Sequence, residues 1–364
     1  MITELLKKIG LFLVLCQGGW AQVPHVEPNY ALNIKEWWDI HPFNPEGKHY
    51  QPKIVSPEPV IEVKAGQSIN LAIQKLPSAG GTLRLAPGHY KSFMILGRSN
   101  IHILGGGAAI INGTCTISVT EEWARYGHRL NNGDLKYISV NQIRMDSTYK
   151  NPPTNILIHG LIFDGGNRMD KALNMVYGRD ILVDQCNFKN YSLKIDHSNH
   201  RQNVIRGTDL INYCTRKCIF DNPGYREIGV FNSCFGCGYI ECFSHYEGTI
   251  IFNKDYLVIY NNKYNPRIRN YILSFHGSHV YISKNTISKK IGTLVRSTLG
   301  PDNQFQDIYI ANNQIPQITD SILTFHVLDS FRGEKDSIEK SVIINEANSA
   351  NIKKINWVVQ NTSK

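Results

Sequence analysis

Two arginines and two histidines stand close together in the stretch YNNKYNPRIRNYILSFHGSHVYISKN, residues 260–285. Arg267 and Arg269 follow a proline, and each carries a planar guanidinium that can bind a carboxylate through two parallel hydrogen bonds. His276 and His279 titrate near neutral pH and can transfer a proton during catalysis. We therefore predict that these four residues are catalytic groups acting on an anionic substrate. The alternative is an ordinary scaffold turn with a basic surface.

Three other residues are predicted to contact the substrate, namely Arg226, His245 and Tyr260. Arg226 follows the predicted turn at Asp221 and is expected on the same face of the molecule, although a surface ion pair is the alternative. His245 offers a further imidazole, and Tyr260 stands on the outward side of a predicted strand.

Two aspartates are candidate metal ligands. Asp184 in DILVDQCNF and Asp221 in KCIFDNPGY occupy the same position of two aligned segments, which predicts that they share one outward stripe of a repetitive structure. Two close carboxylates repel each other unless a cation lies between them or one of them is protonated. We therefore predict a Ca²⁺ site at these two residues. A solvated pair of turn residues is the alternative.

Composition and the first residues limit the possible partners. The chain has 364 residues and a formal net charge of +9. Lys7 and Lys8, an apolar run over 9–16 and a small-x-small site ending at Ala21 predict a signal peptide over 1–21, and hence a secreted or periplasmic protein. No segment is apolar enough to span a membrane. Since no nucleic-acid-binding motif is present, the positive charge favours an acidic polysaccharide as the partner of a monomeric protein.

Seven of the eight cysteines follow the predicted signal peptide, and an odd number excludes a fully paired set of intramolecular disulfides. The CFGC motif at 234–237 has further cysteines nearby, but their gaps lack the paired spacing of a zinc ribbon. Small buried thiols are therefore favoured over a zinc site.

The elements that must position these residues form a repeat. Asn262, Asn285 and Asn313 share one position of it, which predicts a structural asparagine ladder at the turns. The first and third residues of each aligned strand are apolar and are expected to face inward. Because one coil cannot bury its own core, the coils must stack as a solenoid. The repeated segments are NILIHGLIF (155–163), DILVDQCNF (180–188), KCIFDNPGY (217–225), YLVIYNNKY (256–264), HVYISKNTI (279–287) and DIYIANNQI (307–315).

A short helix is predicted over 68–76, with Ser68 as its N-cap. It precedes GGTLRLAPGHY (80–90) and NIHILGGGAAIING (100–113), and this order resembles the opening of the pectin-lyase-like superfamily. The resemblance implies an all-β fold, a right-handed parallel β-helix (solenoid) with a short N-terminal capping helix. The expected division is an extended N-terminal arm over 22–59, a β-helix domain over 60–345 with a loop insert at 114–153, and a C-terminal tail over 346–364.

Two segments also resemble pectate lyases. In that family an aspartate that ends an outer strand binds calcium, and Asp184 of DILVDQCNF matches it, although Gln185 stands where the family usually has histidine. YNNKYNPRIR followed by HVYISKN is similar to the family's order of asparagine, arginine and histidine. The match implies that either Arg267 or Arg269 is the proton-abstracting base and that the other binds a carboxylate.

The reaction implied by this resemblance is β-elimination. The base removes the proton next to a uronate carboxylate, and the glycosidic oxygen on the next carbon leaves. The carboxylate must be neutralised by a cation or a guanidinium so that negative charge can build up. Arginine is a poor base because its pKa is about 12 or more. On chemical grounds His245, His276 or His279 would serve better.

These observations predict an exported lyase that cleaves an acidic, uronate-containing polysaccharide, with Ca²⁺ as cofactor. A glycoside hydrolase is the first alternative, and it would need paired carboxylates such as Asp184 with Asp221 or Glu241 with Glu247. A non-catalytic carbohydrate-binding or structural β-helix is the second.

Overall fold

The computed structural model contains long parallel sheets and short helices, and it describes twelve stretches of the chain. These are 34–40, 57–121, 152–167, 171–191, 204–221, 228–244, 250–253, 255–265, 271–299, 305–328, 335–345 and 353–360.

The described elements are three helices and 24 strands. The helices are Ile34–Ile40 (α1), Ile69–Lys75 (α2) and Lys335–Lys340 (α3). The strands are Val60–Val63 (β1), Gly81–Leu85 (β2), Gly88–Lys91 (β3), Met94–Leu96 (β4), Ile101–Asn112 (β5), Cys115–Ser118 (β6), Thr154–Asp164 (β7), Leu173–Asp184 (β8), Asn187–Lys189 (β9), Ile205–Arg216 (β10), Ile219–Asp221 (β11), Ile228–Ile240 (β12), Phe243–Ser244 (β13), Ile250–Asn253 (β14), Leu257–Tyr260 (β15), Lys263–Tyr264 (β16), Tyr271–His276 (β17), Val280–Ser283 (β18), Thr286–Ile287 (β19), Ile291–Leu299 (β20), Ile308–Ala311 (β21), Ile318–Leu328 (β22), Val342–Asn345 (β23) and Lys353–Gln360 (β24).

Each coil passes through three parallel sheets, here named the first, second and third sheet in chain order. One coil runs through 156–159 in the first sheet, 161–164 in the second and 173–176 in the third. Residues of the next coil pair in parallel with each of these segments. The chain is therefore a right-handed parallel β-helix, as the sequence predicted. The capping helix is confirmed as well, because Leu71 donates its backbone N–H to Ser68 Oγ over 3.3 Å.

Aromatic side chains fill the centre of the solenoid. The rings of Phe163, Phe188 and Phe220 stack on successive coils, with 4.9 Å between neighbouring centroids. The next residue in this row is the small Ser244, and Tyr239 from the first sheet fills the space, with its ring 6.0 Å from that of Phe220. Similar residues therefore stack on one another from coil to coil. Where Ser244 interrupts the aromatic row, the ring of Tyr239 keeps the core filled.

The predicted asparagine ladder is present at the turn between the first and second sheets. Asn262 Nδ2 donates to Asn285 Oδ1 over 2.9 Å, and Asn285 Nδ2 donates to Asn313 Oδ1 over 2.9 Å. All three side chains are buried, so the ladder pairs backbone groups that would otherwise lack partners. Buried thiols continue the same row on the preceding coils, where each donates to backbone carbonyl oxygens: Cys186, Cys218 and Cys242.

Much of the outer face of the first sheet is apolar, and this part carries α1. Ile34 and Trp38 of this helix are buried against the sheet, and the Ile34 backbone N–H donates to Asn212 Oδ1 over 3.1 Å. Gly238 makes the close approach possible, because a Cβ there would lie 3.0 Å from Cys214 Sγ and 3.2 Å from Ile34 Cδ1. Packing of α1 therefore removes this apolar part of the sheet from contact with water, which is favourable.

The predicted register is wrong for one coil. The segment KCIFDNPGY was aligned with Cys218 at the start of a strand, whereas the residue that pairs with Ile181 is Tyr213. Cys218 occupies the ladder position instead, and Phe220, not Tyr225, stacks on Phe188. The misalignment arose because the strand beginning at Tyr213 reads YCTR, which lacks the aliphatic signature of the other coils.

Three predicted boundaries also differ from the structure. The arm over 22–59, expected to be extended, contains α1. The loop insert at 114–153 begins with β6, which pairs with β4 and β8, while 122–151 lies outside the described residues. The solenoid continues past 345, because β24 pairs with β22. The predicted signal peptide over 1–21 also lies outside the described residues. None of the described helices is long and apolar enough to cross a membrane.

Candidate active site

The third sheet carries the outer face with polar and basic side chains. Because the side chains of a strand alternate, every second residue of each third-sheet strand points outward. The register aligns these residues into two columns that run along the solenoid. Among the residues whose side chains are described, the arginine column contains Asn174, Arg206, Ser274, Arg296, Thr324 and Asn356. On the same basis, the histidine column contains Val176, Thr208, His276, His326 and Val358.

Arg296 and His326 form the centre of the candidate site. Arg296 lies on β20, and its guanidinium carbon is 5.4 Å from the centroid of the Tyr271 ring, a distance typical of a cation–π contact. His326 lies on the next coil in β22, two residues after Thr324, which pairs with Arg296. Both side chains are half-buried, so they are held in place and still reach the surface.

Hydroxyl groups and one carboxylate support this centre. Thr293 Oγ1 lies 3.1 Å from Thr324 Oγ1 and 3.3 Å from Asp320 Oδ2. Ser321 Oγ lies 2.6 Å from Thr324 Oγ1, and Asn356 Nδ2 is 3.4 Å from Asp320 Oδ1. Thr293, Ser321 and Thr324 are buried and bond to one another, so their hydroxyls support the site from beneath. An amide, a carboxylate and a guanidinium, such as those of Asn356, Asp320 and Arg296, are groups that bind the hydroxyls and carboxylates of a sugar.

The surroundings of His326 favour its neutral form. Burial lowers the pKa of this imidazole below its ordinary value of 6.5, and the positive charge of Arg296 lowers it further, while the Asp320 carboxylate opposes the shift. Because the net change is downward, most of the imidazole is uncharged at pH 7. A neutral imidazole can accept a proton, which is the property that a general base needs.

Four of the predicted site residues lie outside the described part of the chain. Arg226 falls in 222–227, His245 in 245–249, and Arg267 with Arg269 in 266–270. In the sequence, each segment lies directly before a described strand of the third sheet, namely β12, β14 and β17. Their predicted roles stay predictions.

The other predicted residues of this group are separated by the structure. His276 ends β17 and stands in the histidine column, two coils from His326, or about 10 Å at the usual spacing of strands. His279 lies instead where α1 docks, with its ring 4.5 Å from that of Tyr256 and its Nδ1 2.9 Å from Asp307 Oδ2. Tyr260 is buried in the apolar cluster of the first sheet, which argues against the predicted contact with substrate.

Asp184 belongs to an ion cluster on the first sheet. Arg216 donates to it twice, from Nε to Oδ1 over 2.7 Å and from Nη2 to Oδ2 over 2.9 Å, and His159 Nδ1 is 3.0 Å from Oδ2. The Asp184 side chain is 0% exposed. Burial alone would raise the pKa of this carboxyl, but the hydrogen bonds from His159 and Arg216 outweigh burial and hold the pKa at about 2.

The predicted pairing of Asp184 with Asp221 is wrong. Arg216, not Asp221, is the neighbour of Asp184 on the next coil. Asp221 is exposed at the end of a strand in the second sheet, where it pairs with Lys189. The two aspartates therefore do not form a shared cation site, and the charge of Asp184 is already neutralised by a guanidinium. In the described part of the chain, no group of three or more potential ligands could hold a metal ion.

Sequence reasoning missed Arg296, His326 and Asp320 because it aligned the strands of the first sheet and not those of the third. A signal was available in two nearly identical pentapeptides, ILSFH at 272–276 and ILTFH at 322–326. Each begins with two apolar residues and ends with a histidine in the histidine column. Aligning them would have placed His276 and His326 on one face.

Among solved structures, Escherichia coli YbhC aligns with 94% of this chain and 98% of its own, with a TM-score of 0.38 and 11% sequence identity. No protein-family model matches the chain. Comparison with curated proteins likewise finds no match.

Proposed function

We propose that this protein is an exported lyase that cleaves an acidic, uronate-containing polysaccharide by β-elimination on the outer face of the third sheet. The observation that carries the proposal is the pair of Arg296 and His326, in which a guanidinium adjoins a histidine whose pKa is lowered. Arg296 would bind the uronate carboxylate, and His326 would accept the proton from the adjacent carbon.

The reaction balances with these two groups. His326 takes the proton from carbon 5 of the uronate, and the electron pair of that C–H bond forms the double bond between carbons 4 and 5. The bond from carbon 4 to the glycosidic oxygen breaks, and the leaving oxygen takes up a proton from water or from an acid at the site. The intermediate carries negative charge on the carboxylate, which the Arg296 guanidinium stabilises.

A hydrolase is less well supported. Hydrolysis of a glycoside requires two carboxyl groups on opposite sides of the bond, and the described part of this site offers a single one, Asp320. Calcium also stays a prediction, because the proposed mechanism assigns the neutralising charge to Arg296 and the pairing of Asp184 with Asp221 is absent.

The test uses the purified protein with a panel of uronate polysaccharides, measured with calcium and with a chelator. Ultraviolet absorbance reports the unsaturated uronide, and a parallel assay counts reducing ends. We expect both signals to rise together in the wild type. His326→Gln should lower kcat by about 10²- to 10⁴-fold, the usual contribution of a general base.

His89→Gln is the matched control, because His89 is an exposed histidine on the second sheet. It should leave both signals unchanged. Reducing ends without absorbance would identify a hydrolase, and neither signal on any substrate would favour a binding or structural role. Full activity of His326→Gln would remove His326 as the base.

A further inference from the structure

A second arginine stands in the arginine column. Arg206 pairs with Gly229, which pairs with Ile251, then Ser274, then Arg296. Four strand steps therefore separate the two arginines. At the usual spacing of neighbouring strands, this corresponds to about 19 Å along the solenoid axis.

The backbone register places residues 229, 251 and 274 between the two arginines, and none of these three is acidic in the sequence. Gly229 leaves one of the intervening positions without a side chain, and Ser274 adds a hydroxyl. Arg206 itself is half-buried, and its Nε is shielded from solvent. The base of its guanidinium is thus held against the sheet, so little side-chain entropy remains to be lost on binding an anion.

The spacing matches a linear polymer that carries one negative charge on each unit. A pyranose unit in an extended chain spans a length close to the strand spacing, so a chain lying along the arginine column advances about one sugar per coil. When Arg296 binds the carboxylate of one sugar, the carboxylate of the sugar four units further along would lie near Arg206. Shorter chains could reach only one of the two arginines.

The geometry points to a second carboxylate-binding position at Arg206, so that the third sheet recognises an acidic chain of about five sugar units. This inference rests on the proposed function, since it takes Arg296 as the carboxylate-binding residue of the cleavage site. It makes Arg206 a binding residue for the polymer that takes no part in the chemical step. It also predicts that the protein distinguishes long acidic chains from short ones.

The experiment measures both affinity and turnover for size-defined oligouronates from dimer to octamer, with sulfated oligosaccharides of the same lengths as further binding probes. In the wild type, affinity should rise in a step at about five units. Arg206→Gln should abolish the step, which corresponds to a loss of roughly tenfold for the octamer, the size expected for a hydrogen-bonded charge pair. Affinity for the trimer and kcat for all lengths should not change.

Arg84→Gln is the control for general electrostatic attraction. It removes the same charge from the first sheet, where Arg84 donates to Glu62 over 2.7 Å, and it should keep the step. The inference is overturned if the wild type shows no step, if Arg206→Gln weakens trimer and octamer equally, or if Arg84→Gln has the same effect as Arg206→Gln.

The two proposals fail in different ways. A step in affinity without any unsaturated product would support the Arg206 position and reject the lyase. Turnover without a step would support the lyase and reject the Arg206 position. If no oligosaccharide binds and none is cleaved, both are rejected.

Discussion

His326 and Asp184 are both ionisable residues on outward positions of the solenoid, yet their surroundings differ. The Asp184 side chain is fully buried, and both of its oxygens accept hydrogen bonds from neighbours that balance its charge. His326 is half-buried, and its nearest charges work in opposite directions. The surroundings of Asp184 stabilise its ionised form and serve the structure. The surroundings of His326 leave an imidazole that can exchange a proton.

The activity is expected to depend on pH through His326. The base must be neutral, so activity is lost as the pH falls through the pKa of this imidazole, which lies below 6.5. Arg296→Gln removes a charge that lowers the pKa, and the acidic limb of the kcat profile should move to higher pH. Asp320→Asn removes a charge that raises the pKa and should move the limb to lower pH.

The measurement is the pH dependence of kcat, followed by ultraviolet absorbance for the wild type and both variants. Tyr309→Phe, in the apolar cluster of the first sheet, serves as a control whose limb should match that of the wild type. Shifts in the same direction for the two charge variants would contradict the assignment of His326.

The ion cluster at Asp184 should contribute to stability. Asp184→Asn leaves the mostly buried Arg216 without its counter-charge, which typically costs about 3–5 kcal/mol. The folded pKa of about 2 lies below the value near 3.9 of an unfolded aspartate. The contribution is therefore complete above about pH 5 and is lost as the pH falls from about 4 to 2.

Equilibrium unfolding in urea at several pH values measures this effect. The difference between the wild type and Asp184→Asn should be largest near neutral pH and should shrink toward pH 2. Asp221→Asn, at an exposed position, should change the free energy of unfolding by less than about 0.5 kcal/mol. A similar small change for Asp184→Asn would rule out the structural role.

At the scale of elements, α1 is a short helix whose stability depends on its contacts. A seven-residue helix is marginal in water, so the burial of Ile34 and Trp38 against the first sheet must hold it. Trp37 adds a ring contact to Tyr281, with 5.7 Å between centroids. The apolar part of the outer face of the first sheet and the apolar side of α1 therefore stabilise each other.

Replacing Trp38 should uncouple this helix from the sheet. The side chain is 2% exposed, and a change from a buried aromatic residue to alanine typically costs about 3–5 kcal/mol. We expect a matching loss in the free energy of unfolding of Trp38→Ala. Faster hydrogen exchange should appear at the amides of 257–260 and 280–283.

Ile40→Ala in the same helix is the control, because Ile40 is 64% exposed. It should have almost no effect on stability or on hydrogen exchange. Equal effects of the two substitutions would mean that α1 is not held by its buried face.

The elements of this fold were largely predictable, and their register was only partly so. The asparagine row at 262, 285 and 313 and the aliphatic strands beside it mark three coils unambiguously. The coil beginning at Tyr213 was misaligned because its first-sheet segment, YCTR, lacks the aliphatic residues that mark the other coils. A shift of register moves a side chain to another face, and this is how Asp221 was placed beside Asp184.

At the scale of the whole molecule, the sequence indicated the solenoid but not the face on which it acts. The three sheets have similar apolar interiors, so inward periodicity does not distinguish them. The distinction lies in outward residues such as Arg206, Arg296 and His326, which are far apart in the chain and meet only through the stacking of coils. Such a face can be predicted from the sequence only when the strands of all coils, in all three sheets, have been aligned correctly.

The helix over the first sheet also has a consequence for how the molecule unfolds. In a plain solenoid each repeat touches only the next, so the array can fray from its ends in steps. Through Ile34, Lys35, Trp37 and Trp38, α1 touches the coils that hold Asn212, Gly238, Tyr256 and Tyr281. The helix therefore couples these coils to coils two and three positions away, and not only to the adjacent coil. The middle of the solenoid should melt as a single cooperative block, and a segment from near the beginning of the chain is what binds that block together.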